Sequence, residues 1–259
     1  MAFRIAIAGK GGTGKTTLSA LICRSLMHQG IKPLLAVDAD PNSCLAERLG
    51  VTIGTTVGQL REGLRANPEQ VPAGVSKSEW IEQLINREIT EAIGFDMIVM
   101  GSQEGPSCYC YINNLLRSCL EKVGEKYRAV VIDNEAGLEH LSRRTNGKVE
   151  VMLVVCEPTP LGARTAMRIR DIMKSLELEV ESAFLVLNRC RGQTLADIPA
   201  DVRSELDRTG LEILGCVPED PLLARFELER RSLLEVPGES AAAAATHEFL
   251  KRLIERRNT

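Results

Sequence analysis

A glycine-rich segment near the start of the chain carries the residue types that bind phosphate. It reads GKGGTGKTT over residues 9–17 and fits the spacing G-x-x-x-x-G-K-[ST], with Gly9, Gly14, Lys15 and Thr16 at the fixed positions. Glycines let backbone N–H groups approach a phosphate closely, and a helix that follows them directs its N-terminal N–H groups at the anion. Lys15 would contact the β- and γ-phosphates, and Thr16 would offer its hydroxyl to Mg²⁺. The segment therefore predicts a nucleoside-triphosphate site. Its predicted nucleotide-binding residues are Gly9, Lys10, Gly11, Gly12, Thr13, Gly14, Lys15, Thr16 and Thr17.

The same glycines also fit a second motif. Gly9, Gly11 and Gly14 have the spacing G-x-G-x-x-G of dinucleotide-binding folds, and Asp38 lies where such a fold places a ribose-binding acid. A dinucleotide site needs neither a lysine nor a hydroxyl at the start of the helix. Lys15 and Thr16 therefore favour the phosphate loop over the dinucleotide site.

Acidic residues follow two other apolar segments. Asp38 and Asp40 end the segment 33–38, and Asp133 ends the segment 129–133. Open α/β sheets place their chemistry at the carboxyl ends of the strands, so we expect these carboxylates to lie beside the phosphate loop. The alternative for Asp38 and Asp40 is a strand-end turn whose aspartates cap a helix.

The eight cysteines divide into groups. Cys23, Cys156 and Cys216 lie within apolar segments and are predicted to be small core residues. Cys108 and Cys110 are separated by one residue, and a thiolate pair at that spacing can converge on one soft or borderline cation. Two ligands are too few for a four-coordinate thiolate site. Two surface cysteines, or a redox pair, remain the alternatives, although a redox pair more commonly has two intervening residues.

Apolar segments alternate with helical patterns along the chain, which predicts an α/β fold. Most of the strands are apolar throughout, which is typical of a parallel sheet buried on both faces. We expect one P-loop ATPase domain over residues 1–259, with a mostly parallel, doubly wound sheet of seven or eight strands. Strands are predicted at 3–8, 33–38, 96–101, 129–133, 149–156, 183–187 and 213–217, and helices at about 16–29, 81–93, 112–120, 160–176, 199–209 and 240–257. Residues 50–78 are predicted to be an irregular connection.

Composition and charge restrict which binding partners and which cellular compartment we expect for the protein. The formal charge of −3 gives no reason to expect non-specific nucleic-acid binding, and no apolar run reaches the length of a membrane span. No leader pattern precedes the first strand, so we expect a cytoplasmic protein. The basic, amphipathic segment 247–257 could lie on a membrane, but packing of Phe249, Leu250, Leu253 and Ile254 on the core is the preferred interpretation.

Lys10, directly after the first glycine of the loop, is not required by the general phosphate-loop motif and indicates a subset of phosphate-loop proteins. The string GKGGTGKTT resembles the deviant Walker A loop of the MinD/ParA/nitrogenase-iron-protein superfamily. The resemblance implies an ATP-sandwich homodimer in which Lys10 reaches the nucleotide of the second subunit. Residues 38–42, DADPN, resemble switch I, and residues 133–137, DNEAG, resemble switch II. By this match Asp40 positions the attacking water, Asp38 and Thr16 hold Mg²⁺, and Asp133 is the Walker B acid that senses the γ-phosphate.

The nucleotide is expected to be ATP. GTPases read guanine with N-K-x-D, whereas this chain has Asn188-Arg189-Cys190-Arg191 after its sixth predicted strand. Asn188-Arg189 and the later Val217-Pro218-Glu219 resemble the adenine-contacting segments of MinD-like ATPases. An asparagine amide can meet both the N6 donor and a ring acceptor of adenine. Strand-end turns without a ligand are the alternative for these residues.

The combination of this ATPase pattern with Cys108 and Cys110 resembles the nickel-insertion accessory ATPases of carbon monoxide dehydrogenase, the CooC/AcsF type. The resemblance implies a Ni²⁺ or Zn²⁺ ion held between two subunits, each supplying two thiolates, and a carbon monoxide dehydrogenase or acetyl-CoA synthase client. The alternative is a MinD/ParA-type positioning switch that acts on a membrane or on DNA. An iron–sulfur reductase is disfavoured because no cysteine follows Asp133 in residues 134–141.

Overall fold

An eight-stranded sheet is the centre of the computed structural model, which describes residues 2–66, 71–72, 74–101, 122–135, 148–175, 179–192 and 194–258. The strand order is β3-β4-β2-β5-β1-β6-β7-β8. All neighbouring strands are parallel except the β3–β4 pair at one edge. The strands are β1 (Phe3–Gly9), β2 (Leu34–Ala39), β3 (Thr90–Ala92), β4 (Phe95–Val99), β5 (Ala129–Asn134), β6 (Val149–Cys156), β7 (Val180–Cys190) and β8 (Glu212–Pro218).

Helices cover both faces of this sheet. They are α1 (Lys15–His28), α2 (Cys44–Leu49), α3 (Val57–Ala66), α4 (Lys77–Glu88), α5 (Pro160–Ser175), α6 (Ala200–Asp207), α7 (Pro221–Leu228) and α8 (Ala241–Asn258), with 3₁₀ turns at Leu195–Asp197 and Leu233–Glu235. The mostly parallel, doubly wound α/β fold expected from the sequence is confirmed.

Two apolar clusters, one on each face, stabilise the fold. Successive residues of β1 alternate between them: Ile5 and Ile7 pack with α1 and α8, whereas Ala6 and Ala8 pack with α5 and α6. Strands buried on both faces must be apolar at nearly every position, which accounts for the continuous apolar segments of the sequence.

The segment 50–78 is not the irregular connection that was predicted. It contains α3, whose Val57, Leu60 and Leu64 are buried on one side at helical spacing. Thr56 and Gln59 start the helix with reciprocal bonds: the Thr56 N–H donates to Gln59 Oε1 at 2.9 Å, and the Gln59 N–H donates to Thr56 Oγ1 at 3.2 Å.

The predicted helix over 81–93 is too long. Helix α4 ends at Glu88, and Thr90–Ala92 turns back as β3 to pair with β4. Ile93 and Gly94 form the two-residue connection of this hairpin, and Gly94 has a φ of 92°, which favours glycine. Ile93 is therefore 95% exposed instead of lying on a buried helical stripe.

The terminal helix α8 packs on the core, as the preferred interpretation of its sequence expected. Phe249, Leu250 and Leu253 are buried beside α1 and β8. Among the described residues, none of the helices combines the length and apolar character needed to span a bilayer.

Candidate nucleotide-binding site

The glycine-rich loop leaves the centre of the sheet and enters α1. Strand β1 lies between β5 and β6, so the loop starts at the carboxyl edge with carboxylate-bearing strands beside it. A Cβ at Gly9 would lie 2.6 Å from Val155 O, and Gly12 and Gly14 have φ values of 80° and 88°. Glycine is required at Gly9 by close approach and is favoured at Gly12 and Gly14 by backbone conformation. This is the loop shape in which backbone N–H groups can surround a phosphate.

The two lysines of the loop have different environments. Lys15 is only 7% exposed, and its Nζ donates to the Lys10 carbonyl at 3.3 Å. Burial lowers the pKa of Lys15, while the nearby charges of Asp133, Asp40 and Glu135 act in the opposite direction. The side chain of Lys10 is exposed. Lys15 can therefore serve its own nucleotide, whereas Lys10 is available to a partner.

Asp133 lies at the end of β5 beside α1. The Ser19 hydroxyl donates to Asp133 Oδ1 at 3.0 Å, while Oδ2 is buried with no hydrogen-bond partner among the described residues. Burial raises the pKa of Asp133 to about 7, and hydrogen bonds from Thr16 and Ser19 limit that rise. A buried carboxylate oxygen without a donor is suited to a cation or to one of its waters.

Asp38 and Asp40 shape the turn between β2 and α2. Asp38 lies opposite Asp133 on the neighbouring strand, and its two oxygens accept from the Asp40 N–H at 3.1 Å and the Leu45 N–H at 2.9 Å. Burial raises the pKa of Asp38 to about 6, although these bonds oppose it. Asp40 is partly exposed, and its Oδ1 accepts from both the backbone and the side-chain nitrogen of Asn42 at 2.9 Å.

The alternative prediction, that Asp38 and Asp40 form a strand-end turn and cap a helix, is confirmed for Asp38. Ser43, the residue before α2, makes no side-chain cap, and Asp38 instead satisfies a first-turn N–H of that helix. Capping does not exclude a role at the nucleotide, because a carboxylate has about four acceptor positions and the two bonds leave the others open.

Asn188 contacts the phosphate loop. Its Nδ2 donates to Thr13 O at 2.7 Å and lies so close to Gly14 that a Cβ there would be 2.3 Å away. The amide nitrogen is thus committed to the loop, and Oδ1 is the atom left to meet a base. Arg189 has a φ of 54° and forms an exposed ion pair with Glu157 at 2.9 Å.

The second predicted adenine segment lies directly beside the first. Val217 is the register partner of Asn188, Pro218 is the partner of Cys190, and the Glu219 N–H donates to Cys190 O at 3.1 Å. The structure therefore brings both predicted adenine segments to the carboxyl edge, next to the start of α1.

Two site residues were given no role of their own in the sequence prediction. Ser19 lies four residues after Lys15 on α1, donates to Lys15 O at 2.9 Å and also contacts Asp133. Asn134 follows Asp133, and its Nδ2 donates to Ile7 O at 3.0 Å, which ties β5 to the strand before the loop. One indication of a role for Ser19 was present in the sequence: it is the single polar residue of the apolar helix segment LSALIC, residues 18–23.

Other residues singled out in the sequence are not part of this site. Cys108, Cys110 and the helix predicted at 112–120 are outside the described residues, as is Gly137 of the switch II match. Cys23, Cys156 and Cys216 are buried, as predicted.

Mg²⁺ fits the chemistry of this site. Thr16, Asp38 and Asp133 are oxygen donors beside the phosphate loop. Within the described part of the chain no three His, Cys, Asp or Glu residues form a cage for a metal ion. Mg²⁺ is commonly bound by one or two carboxylates together with substrate phosphates and water, which is a set that Asp38, Asp133 and a bound nucleotide could supply.

Comparisons with known proteins agree with this geometry. The model of the CobQ/CobB/MinD/ParA nucleotide binding domain matches residues 5–233. An uncharacterized ATP-binding protein of Methanocaldococcus jannaschii is 35% identical over 255 residues, covering 98% of this chain and 99% of that protein. The carbon monoxide dehydrogenase accessory protein CooC of Rhodospirillum rubrum is 26% identical over 265 residues, covering 98% and 97%.

A solved structure shares the whole fold. The septum site-determining protein MinD of Pyrococcus horikoshii, in complex with Mg-ADP, superimposes with a TM-score of 0.70 at 23% identity, covering 98% of this chain and 96% of that one. The order of the strands, the glycine-rich loop and the match over residues 5–233 lead to one assignment. The chain belongs to the CobQ/CobB/MinD/ParA nucleotide-binding domain family.

Proposed function

We propose that the protein is a Mg²⁺-dependent ATPase that works as a homodimer and helps insert nickel into carbon monoxide dehydrogenase or a related acetyl-CoA synthase enzyme. The observation that carries the ATPase part is the gathering of Lys15, Asp38, Asp40 and Asp133 around the glycine-rich loop. Cationic and acidic groups arranged in this way are suited to phosphoryl transfer, which depends on positioning and on charge stabilisation.

Each residue of the site has a distinct part in this proposal. Lys15 neutralises the β- and γ-phosphates, and Thr16, Asp38 and Asp133 hold the hydrated Mg²⁺. The ion supplies charge neutralisation between the phosphates. Asp40 orients the attacking water, and Lys10, whose side chain is exposed, reaches the nucleotide of the other subunit. Asn188 fixes the loop through Thr13 and presents Oδ1 to the N6 amine of adenine.

The nickel part is supported by the full-length similarity to the Rhodospirillum rubrum accessory protein together with Cys108 and Cys110. Nickel is cargo in this proposal, held by four thiolates from two subunits. Thiolate ligands suit such an ion, and the two-fold symmetry of the dimer supplies the second pair.

A MinD/ParA-type positioning switch is the second candidate. It is favoured by the similarity of the whole fold to MinD, with a TM-score of 0.70. Such a protein would change its attachment to a membrane or to DNA with the state of its nucleotide. The apolar side of α8 is already buried on the core, which leaves that helix without an apolar surface for a bilayer.

Metal analysis during size-exclusion chromatography tests the nickel proposal. Protein purified without oxygen and loaded with Ni²⁺ should elute as a dimer with about one metal per two chains, as a shared four-thiolate site requires. The variant Cys108→Ala/Cys110→Ala should lose the tight metal but still dimerise with ATP, while Cys44→Ala, which removes an exposed cysteine elsewhere, should behave like the wild type.

Two outcomes would contradict the nickel proposal. One is one metal per monomer, and the other is unchanged metal content in the double variant. Sedimentation with anionic vesicles or with duplex DNA, with and without ATP, separates the second candidate, since ATP-dependent co-sedimentation would favour the positioning switch.

A further inference from the structure

A fully buried serine lies between the phosphate loop and the acid at the end of β5. Ser19 begins the second turn of α1, four residues after Lys15, and it is 0% exposed. Its Oγ lies 2.9 Å from Lys15 O and 3.0 Å from Asp133 Oδ1. One hydroxyl therefore contacts both the first residue of α1 and the carboxylate of the neighbouring strand.

The Ser19 hydroxyl has a single proton for these two acceptors. Lys15 O does not depend on that proton, because in an α-helix the backbone N–H of residue 19 donates to the carbonyl of residue 15. Asp133 Oδ1 belongs to a carboxyl group, and a hydrogen bond to an ionised acceptor is roughly twice as strong as one between neutral groups. The proton of Ser19 is therefore better used on Asp133 whenever that carboxyl is ionised.

The packing of α1 does not account for a hydroxyl at position 19. The residues on either side, Leu18 and Ala20, are apolar and buried, and they pack into the cluster on that face of the sheet. Serine has a lower helix propensity than alanine, and burial of a hydroxyl costs free energy unless it is hydrogen-bonded. Alanine would fit the same space with a better propensity. The serine is therefore explained by what its hydroxyl contacts.

The two oxygens of Asp133 have different surroundings. Oδ1 accepts from Ser19, whereas Oδ2 is buried and has no hydrogen-bond partner in the part of the chain that the structure describes. Both oxygens belong to one planar group, so a bond that holds Oδ1 also sets the direction of Oδ2. A hydrogen bond from Thr16 also stabilises this carboxylate, but Thr16 is partly exposed and is itself one of the proposed Mg²⁺ ligands. Ser19 lies outside that set of ligands.

We propose that Ser19 is a positioning residue for Asp133: its hydroxyl holds Oδ1 and leaves Oδ2 to the Mg²⁺ of a bound nucleotide or to one of the waters of that ion. Ser19 acts through Asp133 and is not itself a ligand. The inference rests on the Mg²⁺-dependent nucleotide binding of the proposed function, and it requires neither nickel nor a dimer. A hydrogen bond that orients a metal-binding group commonly changes metal affinity about 10- to 100-fold.

Binding of Mn²⁺, which prefers the same oxygen ligands as Mg²⁺, measures the effect without relying on turnover. Mn²⁺ is titrated into the full-length protein, present in excess of ADP, and the free ion is followed by electron paramagnetic resonance. Ser19→Ala should bind Mn²⁺ about tenfold more weakly than the wild type. Its affinity for ADP in EDTA, measured by calorimetry, should stay within about threefold, because Ser19 supports only the metal ligand. Ser19→Thr keeps a hydroxyl and should restore Mn²⁺ binding.

Ser25→Ala is the matched control on the same helix. Ser25 is 1% exposed, its Oγ lies 2.9 Å from His247 Nδ1, and it accepts from Gln29 Nε2 at 3.1 Å. The variant removes a buried hydroxyl of α1 that does not contact Asp133, so it should bind Mn²⁺ like the wild type. Equal weakening in Ser19→Ala and Ser25→Ala would overturn the positioning role. Circular dichroism checks that each variant is folded, and the two alanine variants decide the question if Ser19→Thr is not.

A double-mutant cycle with Asp133→Asn tests whether Ser19 acts through Asp133. If it does, adding Ser19→Ala to Asp133→Asn should change Mn²⁺ affinity by less than about twofold, since the carboxylate that Ser19 supports is already gone. An undiminished loss of about tenfold in the double variant would overturn the positioning role, as would wild-type Mn²⁺ affinity in Ser19→Ala. Failure of the wild type to bind Mn²⁺ with ADP would contradict the proposed function itself.

Discussion

Two lysines five residues apart in one loop have opposite surroundings, which separates their expected effects. Lys15 is buried against the Lys10 carbonyl, and Lys15→Ala would remove the cation that we propose faces the phosphates. We expect ATP binding measured by calorimetry to weaken about 10- to 100-fold, as for the loss of a hydrogen bond to a charged group.

Lys10→Ala is the matched control in the same loop. Because the Lys10 side chain is exposed, the variant should bind ATP like the wild type while its turnover at high protein concentration falls. Equal losses of affinity in the two variants would contradict the separate roles.

Asp40 is expected to act in hydrolysis and not in binding. Its carboxylate is fixed by two hydrogen bonds from Asn42, which orients it before a substrate arrives. Asp40→Ala should lower kcat about 100-fold or more, the usual contribution of a group that handles the proton of the nucleophile. The affinity for ATP should stay within about threefold, less than the contribution of one hydrogen bond.

Asn42→Ala is the control for this variant, since it removes the side-chain hydrogen bond to the carboxylate, keeps the backbone one and leaves Asp40 in place. It should cause a smaller loss of kcat than Asp40→Ala. Wild-type turnover by Asp40→Ala in a phosphate-release assay would rule out the role of Asp40 in hydrolysis.

Local spacing was enough to select Lys15, Thr16 and Asp133 as candidates, because the phosphate loop and the strand-end acid each lie in a short stretch of sequence. Ser19 and Asn134 were missed for a physical reason. Their partners are 114 and 127 residues away in the chain, and such contacts exist only once the sheet has formed.

The strands were easier to predict than the shorter elements between them. The segment 149–156 was predicted with its observed bounds because a strand buried on both faces leaves a continuous apolar run. Helix α3 is ten residues long, and the Thr56–Gln59 capping box was the signal that could have located it. Strand β3 has three residues, too few for any period to be visible, and its pairing with β4 defines it.

One carboxylate joins two helices at the end of the chain. Asp220 accepts from the Leu222 N–H at 2.9 Å at the start of α7, and from Ser240 Oγ at 2.6 Å and the Ala242 N–H at 3.1 Å at the start of α8. Asp220→Ala should lower the free energy of unfolding by about 1–3 kcal/mol, the cost of removing one or two caps. Urea unfolding measures this change, and Glu239→Ala, an exposed acid next to Ser240, should leave the midpoint unchanged.

The stability that Asp220 contributes should depend on pH. Burial alone would raise the pKa of this carboxyl, but its hydrogen bonds outweigh burial and lower the pKa below 3.8. The unfolded chain therefore binds the proton more tightly than the native protein. The stabilisation is complete above about pH 4 and is lost as the pH falls through the pKa of the folded state. The difference in stability between wild type and Asp220→Ala should shrink below pH 4, and a constant difference would contradict this account.

At the scale of the whole molecule, α8 is part of the core and not an appendage. Deletion of residues 246–259 would remove the buried side chains of Phe249, Leu250 and Leu253. Each large apolar side chain removed from a core costs roughly 2–5 kcal/mol, so the shortened chain should be unfolded or aggregated at room temperature. Circular dichroism and thermal unfolding measure this. A shortened chain that melts like the full one would show that α8 is dispensable.

The position of β1 has a consequence for synthesis on the ribosome. The first strand made pairs only with β5 and β6, and Phe3 lies opposite Ala129. At about 5–20 residues per second, a nascent chain holds its apolar first strand without a sheet partner for roughly 6–25 seconds. The phosphate loop is completed later still, since Asn188 must leave the ribosome before its side-chain amide can donate to Thr13 O. We therefore expect the loop to reach its final shape only late in translation, and the apolar first strand to be exposed to aggregation until its sheet partners have been made.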